Sequence, residues 1–134
     1  MNVCMAQINT LVGDIAGNTQ RVLEVSAAQK AVGAHVVVFP ELTLTGYPPE
    51  DLLLRGDLLD RTEAALAMLC AELPADLTVV VGYPRGRDGA LFNSAGVISG
   101  GKLLAQYDKQ CLPTMKFSTK NVTFRPGLNL VWST

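Results

Sequence analysis

The run Val36-Val37-Val38-Phe39-Pro40-Glu41-Leu42-Thr43-Leu44-Thr45-Gly46-Tyr47-Pro48-Pro49 decides the architecture. Its first four residues are continuously apolar and flanked by turn formers, the pattern of a strand buried on both faces. Glu41 follows that strand directly and opens a Gly/Pro-rich loop, the place where α/β proteins carry their chemistry. Working back toward the N-terminus, Asn2 to Ile8 alternates weakly and is expected to form a first strand. Val12-Gly13-Asp14 turns the chain, and Asp14 or Asn18 is placed to cap a helix running to about Val32. Val22, Val25, Ala28 and Val32 recur at helical spacing and predict its buried stripe. Gly33 suits the left-handed position after a helix. Strand, helix and buried strand make a βαβ unit with an expected right-handed crossover.

Working forward, Pro48 and Pro49 precede a short helical turn expected at Glu50 to Leu54. A longer helix fits Asp57 to Leu73, with Leu58, Thr62, Leu66, Leu69 and Leu73 on one face, closed by Pro74. Leu77 to Tyr83 is a third expected strand. Asp88-Gly89 signals a hairpin into Leu91 to Ile98, and Gly100-Gly101 turns the chain into Lys102 to Tyr107. Beyond Pro113 the pattern fades: Thr114 to Thr123 is polar and Arg125-Pro126-Gly127 is a turn. With no internal repeat and no low-complexity linker, residues 1–134 are expected to form one α/β domain.

Composition narrows the function classes. The 134 residues are 49% apolar and 17% charged, as in an ordinary globular protein. A net charge of −1 gives no electrostatic footprint for nucleic acid or an anionic membrane surface. No apolar run approaches a membrane span, and Met1 to Asn9 lacks the features of a secretory leader, so a cytoplasmic location is expected. Cys4, Cys70 and Cys111 are an odd count without CxxC spacing, which predicts free thiols. One histidine and no paired ligand spacing predict no metal site.

Glu41 and Lys109 both fall at expected strand ends. A carboxylate and an ammonium brought together there would serve as general base and electrostatic stabiliser. Spacing alone favours a structural ion pair or two solvated side chains over that catalytic role.

A family likeness bears on that choice. Phe39-Pro40-Glu41 and Tyr107-Asp108-Lys109-Gln110-Cys111-Leu112-Pro113 resemble the Glu and Lys motifs of the nitrilase (carbon-nitrogen hydrolase) superfamily. Other segments resemble the glutaminase domains of glutamine-dependent NAD synthetases. They are Ala6-Gln7-Ile8-Asn9 with Val12-Gly13-Asp14, Thr45-Gly46-Tyr47-Pro48-Pro49-Glu50-Asp51-Leu52-Leu53, Val81-Gly82-Tyr83-Pro84, Asp88 to Ala95, and Phe124-Arg125-Pro126-Gly127. The order is collinear over nearly the whole chain. The resemblance implies an α-β-β-α sandwich, of which this chain would carry a partial copy: a mixed sheet with helices 16–32 and 57–73 on one face. It implies a Glu–Lys–Cys triad in which Glu41 is the general base, Lys109 stabilises the tetrahedral intermediate, and Tyr47 lines the amide pocket, with packing of Tyr47 against the Pro48-Pro49 loop as the alternative. The implied substrate is glutamine, with no cofactor for the amide hydrolysis. ATP and nicotinic acid adenine dinucleotide would belong to an ammonia-consuming synthetase domain, and the family implies a homo-oligomer.

The chain also departs from the family pattern. The family nucleophile lies in a Cys-Glu-Asp-like motif beyond the Arg-Pro-Gly turn, and residues 1–134 contain no such motif. Thr119 and Lys120 fall where the family has an acidic pair. Cys111 is two residues from Lys109, a spacing that does not put both side chains on one attack trajectory. Its expected role is that of a bystander thiol, with a nucleophilic role as the alternative. Cys4 and Cys70 read as small core residues. His35 reads as a surface or hydrogen-bonded residue, and Asn93 as a hairpin or supporting residue. Arg85, Arg87 and Lys102 read as solvated, and Gly100-Gly101 does not form a phosphate loop. The alternatives to a glutaminase are an inactive pairing module and a nitrilase-like amidase for another amide.

Overall fold

A computed structural model describes residues 1–47 and 56–112, with the side chains of Gln110 and Cys111 excepted. The helical turn expected at Glu50 to Leu54, the polar stretch Thr114 to Thr123, and the Arg125-Pro126-Gly127 turn lie outside the described residues.

The element order is β1 (Val3–Met5), α1 (Ile15–Ala31), β2 (Val36–Val38), α2 (Gly56–Glu72), β3 (Thr78–Arg87), β4 (Ala90–Ser99) and β5 (Lys102–Leu112). Among the described residues the strands form one mixed sheet in the order β1-β2-β3-β4-β5. β1, β2 and β3 are parallel, joined through helices, and β3, β4 and β5 are an antiparallel meander. The Asp88-Gly89 turn closes the first hairpin with φ of 52° and 76° at its two central residues, so both adopt the left-handed conformation that matches the strand twist.

Register sorts the side chains by face. Cys4, Val37, Val79 and Ile98 share one row, and Val37, Val79 and Ile98 join Ile15, Val22, Leu58, Leu66 and Leu69 in the core beneath the helices. Met5, Val38, Val80 and Val97 share the opposite row. Both helices therefore lie on one side of the sheet. β2 departs from its expected burial for that reason: Val37 is buried while Val36 and Val38 are half-covered. β1 is also shorter than expected, three residues from Val3.

The stripe expected on α1 is rotated from the observed one. Val22 is fully buried, but Val25 is half-buried, Ala28 is exposed and Val32 is 75% exposed. The buried line runs instead through Ile15, Asn18, Thr19, Val22 and Ser26. Its polar members can be buried because the backbone partners most of them: Thr19 Oγ1 donates to the Ile15 carbonyl at 2.6 Å. Asp14 caps the helix, its side chain accepting from Gly17 N at 3.0 Å. On α2 the expected face is observed, with Leu58, Thr62, Leu66 and Leu69 buried and Leu73 buried just beyond the helix end.

Candidate active site

The segment after β2 is fixed from several directions. Phe39 N donates to Val80 O at 2.8 Å, extending the strand contact by one residue. The chain then turns, Leu44 N donating to Gly82 O at 3.2 Å and Gly13 N to Thr45 O at 2.9 Å. Asn18, the alternative cap of α1, ties the helix start to this turn instead. Its Nδ2 donates to Leu11 O at 2.8 Å and to Leu44 O at 3.1 Å. Leu42 is buried at a φ of 50°, a left-handed conformation that costs a side-chain-bearing residue roughly 1–2 kcal/mol. Such strain persists where the surroundings over-determine the backbone. Gly82 is part of those surroundings: a Cβ there would lie 2.7 Å from Leu42 N and 2.8 Å from Pro40 O. The turn carrying Glu41 packs directly on the β3 backbone.

Glu41 is the hub of a polar cluster. Lys109 Nζ donates to Glu41 Oε1 at 3.1 Å, Tyr47 Oη donates to Oε2 at 2.8 Å, and Asn93 Nδ2 donates to Oε2 at 3.3 Å. The Tyr47 hydrogen bond chiefly, then Lys109 and Asn93, holds the Glu41 carboxyl below its ordinary range, against desolvation that raises it. The same bond to Glu41, followed by burial, raises the Tyr47 phenol. Glu41 is thus ionised at neutral pH, a proton acceptor beside a fixed positive charge.

Lys109 does not follow a strand, as its sequence context implies, but lies within β5. The β4–β5 ladder runs on to Leu91 opposite Leu112, with register shifts at Val97/Ile98 and Asn93/Ser94. Ser94 pairs with Asp108 and Asn93 with Gln110, leaving Lys109 as the extra residue of a bulge. Bulges re-aim side chains, and this one sits at the cluster. On the helix side of the same strand, Asp108 accepts from Ser94 Oγ at 2.7 Å and pairs with Arg85 at 3.4 Å and Arg87 at 3.1 Å. Arg85 and Arg87 are therefore not simply solvated, because the Asp108 carboxylate, nine-tenths buried, draws both. Arg87 also lies over the Phe92 ring, 5.1 Å from its centroid.

Glu41 and Lys109 line a cleft of about 260 Å³ with Met5, Val38, Phe39, Pro40, Val80, Val81, Gly82 and Ala95, a mostly apolar pocket on the face away from the helices. A larger cavity of about 420 Å³ lies on the helix side between α2 and the meander, remote from the Glu41 cluster. The Glu41–Lys109 pair borders the smaller of the two. Among the described residues no three His, Cys, Asp or Glu side chains gather around a common point that could hold a metal ion, and no helix is long and apolar enough to cross a membrane.

The profile of the family described as carbon-nitrogen hydrolase matches residues 2–127. The chain belongs to the carbon-nitrogen hydrolase family. This carbon-nitrogen hydrolase chain is 40% identical over 114 residues to a glutamine-dependent NAD(+) synthetase of Xanthomonas campestris pv. campestris, matching 84% of the chain and 20% of that relative. It is 37% identical over 128 residues to a glutamine-dependent NAD(+) synthetase of Aquifex aeolicus, with 95% of the chain and 22% of the relative covered. Its fold matches the solved glutamine-dependent NAD+ synthetase of Acinetobacter baumannii with a TM-score of 0.75 at 38% identity, covering 83% of the chain and 21% of that structure. The chain thus spans about a fifth of the length of these relatives. The mixed sheet with two helices on one face is part of the nitrilase-type fold seen in such neighbours.

Of the residues singled out from sequence, Glu41, Lys109 and Tyr47 come together in this carbon-nitrogen hydrolase chain. Cys111 has its backbone in β5, and its side chain lies outside the described residues. Cys4 and Cys70 are half-buried free thiols against the core. His35 is exposed, its Nδ1 accepting from Asn2 N at 3.0 Å. Asn93 reads from sequence only as a hairpin or supporting residue, yet it reaches Glu41. A signal for this lies in the hairpin. The two-residue turn at Asp88-Gly89 pairs Arg87 with Ala90, and counting outward sets Asn93 opposite Pro84, near the Gly82 that underlies the Glu41 turn.

Proposed function

We propose that this chain is the glutamine amidohydrolase portion of a glutamine-dependent NAD synthetase. The observation that carries this reading is the 3.1 Å Glu41–Lys109 pair at the end of β2, beside an apolar cleft, in a family of carbon-nitrogen hydrolases. The synthetase names of the relatives supply the substrate.

In this reading Glu41 takes the proton of a cysteine thiol belonging to a Cys-Glu-Asp-like motif, which none of the 134 residues forms. The thiolate attacks the side-chain amide carbon of glutamine, making a C–S bond while the carbonyl electrons move onto oxygen. Lys109 lies where a cation offsets that charge. Glu41 returns its proton to the nitrogen as the C–N bond breaks, and ammonia leaves. Water then cleaves the thioester, with Glu41 accepting its proton, to give glutamate and the free thiol. Tyr47 holds the base and borders the amide site. The hydrolysis uses no cofactor; ATP and nicotinic acid adenine dinucleotide belong to the synthetase portion that consumes the ammonia. The setting is the cytoplasm, in a homo-oligomer.

The test supplies the missing nucleophile by joining the chain to the corresponding continuation of the Xanthomonas relative and measuring ammonia release from glutamine. Glu41→Gln and Lys109→Met should each abolish release. Turnover surviving Glu41→Gln would remove the assigned base, and turnover of other amides in preference to glutamine would favour a general amidase.

A second reading, a pairing module without activity, draws on one observation. On the face away from the helices Val3 is 55% and Met5 63% exposed. Contiguous exposed apolar surface marks interaction sites. A glutaminase assay together with light scattering on the 134-residue chain separates the readings, since turnover by a monomer would exclude the pairing role.

A further inference from the structure

An ionised carboxylate offers about four lone-pair positions, two on each oxygen, and donates nothing. At Glu41 the occupancy is uneven. Oε2 accepts two hydrogen bonds, from Tyr47 Oη and Asn93 Nδ2, while Oε1 accepts one, from Lys109 Nζ. Among the described residues, Oε2 thus has both acceptor positions in use and Oε1 one.

The two residues on Oε2 differ in kind. Tyr47 is 66% exposed on the turn it helps to hold, whereas Asn93 is 1% exposed in the middle of β4. Facing a carboxylate, the Asn93 amide must present its NH2, which fixes its orientation. Its Oδ1 is then left buried without a partner among the described residues. A buried polar atom left unpaired is uncommon and calls for an explanation. The explanation here is that the amide is oriented for Glu41 and not for its own satisfaction. Asn93 also pairs with Gln110, the neighbour of the bulged Lys109, so one position on β4 reaches Glu41 and adjoins the bulge that presents Lys109.

We infer that Asn93 is a positioning residue that fixes the rotation of the Glu41 carboxylate, so that Oε1, the oxygen shared with Lys109, takes the proton in amide hydrolysis. This rests on the proposed amidohydrolase function for the proton's origin, but the geometry of the hold is testable without turnover. Asn93 does not touch the reacting atoms. It keeps Oε2 engaged, so that the open lone pair lies on the oxygen beside the ammonium. A proton arriving there leaves both Oε2 bonds in place, and Glu41 need not swing before it returns the proton.

The experiment is an NMR titration of the isotopically labelled 134-residue chain, following the Glu41 carboxyl carbon and the Asn93 side-chain amide. The Asn93 amide signals should titrate with the same midpoint as Glu41 and lose that response in Glu41→Gln. Asn93→Ala should move the Glu41 midpoint upward, a change that a purely packing role for Asn93 would not produce. An Asn93 amide indifferent to Glu41 ionisation would overturn the inference, as would a folded Asn93→Ala chain with an unmoved Glu41 midpoint. Should Asn93→Ala not fold, the comparison of the unaltered chain with Glu41→Gln still decides. In the nucleophile-bearing fusion, Asn93→Ala should lower kcat and leave KM in place; a change confined to KM would reassign Asn93 to substrate and overturn the positioning role. If the fusion proves inert toward glutamine, the proposed function fails while the titration still judges the hold on Glu41.

Discussion

Glu41 Oε1 and Lys109 Nζ lie 3.1 Å apart although 68 positions separate them in the sequence. One comes from the turn after a parallel strand and the other from a bulge in the last strand of an antiparallel meander. The sheet brings the pair together across β3 and β4, and consequences for titration and stability follow.

Tyr47→Phe and Lys109→Met should each raise the Glu41 pKa, because the Tyr47 hydrogen bond is the largest single cause of its depression and Lys109 acts through both a hydrogen bond and its charge. Carbon NMR titration of the labelled carboxyl checks both shifts. A Glu41 midpoint unmoved by Tyr47→Phe would show that water replaces the exposed tyrosine in solution.

The same depression sets a pH dependence. A carboxylate with a folded pKa below its unfolded value adds stability that is present above the unfolded pKa and lost as pH falls through the folded one. The urea midpoints of the unaltered chain and Lys109→Met should therefore differ at neutral pH and converge in acid, below the lowered Glu41 value. The gap should be small, since Glu41 is well exposed and such pairs are screened by water. A constant gap down to strong acid would assign the effect to packing of the lysine stem.

Gly82→Ala should displace the Glu41 turn, because the added carbon would meet the Leu42 nitrogen at 2.7 Å and the Pro40 oxygen at 2.8 Å. Overpacking of this kind costs about 1–3 kcal/mol. Both contacts are backbone, so the turn must move as a unit. Equilibrium unfolding gives the cost, and loss of the tyrosine-dependent shift of Glu41 reports the displacement.

The helix stripe can be checked by a pair of substitutions on α1 and its cap. Val22→Ala, in a fully buried position, should cost about 2 kcal/mol, from two methyl groups and the space they leave. Val32→Ser, at an exposed cap, should change stability by no more than about 0.5 kcal/mol. Similar costs at both would restore the stripe expected from apolar spacing.

Asp108→Ala should cost about 1–3 kcal/mol, since it leaves the Ser94 hydroxyl and two guanidinium groups without their shared acceptor. Thermal unfolding measures the loss. A neutral result would show that water replaces the carboxylate at no cost.

These residues also mark what is legible in the sequence. The strand at Val36, both helices and both meander turns are readable because apolar runs, helical spacing and Gly-containing dipeptides act over a few residues. The rotation of α1 is not, because its buried line includes Asn18, Thr19 and Ser26, and a search for apolar residues passes over buried polar ones, of which Asn18 and Thr19 are partnered by backbone. The Glu41–Lys109 pair is named by family motifs, and spacing alone leaves it open. Its geometry depends on two register shifts in β5. Regular pairing outward from the Gly100-Gly101 turn would set Asp108, not Lys109, beside Asn93. No local pattern announces a bulge, since the extra residue is defined only by the strand it faces.

The bulge at Lys109 also separates what the fold needs from what the chemistry needs. Because Asp108 already pairs with Ser94 and Gln110 with Asn93, excising Lys109 would join two residues that are in register with consecutive partners. The ladder would close and the meander would keep its length to Leu112. The ammonium therefore stands on the inserted residue of the bulge, so the charge beside Glu41 is placed by a local register shift and not by the regular ladder.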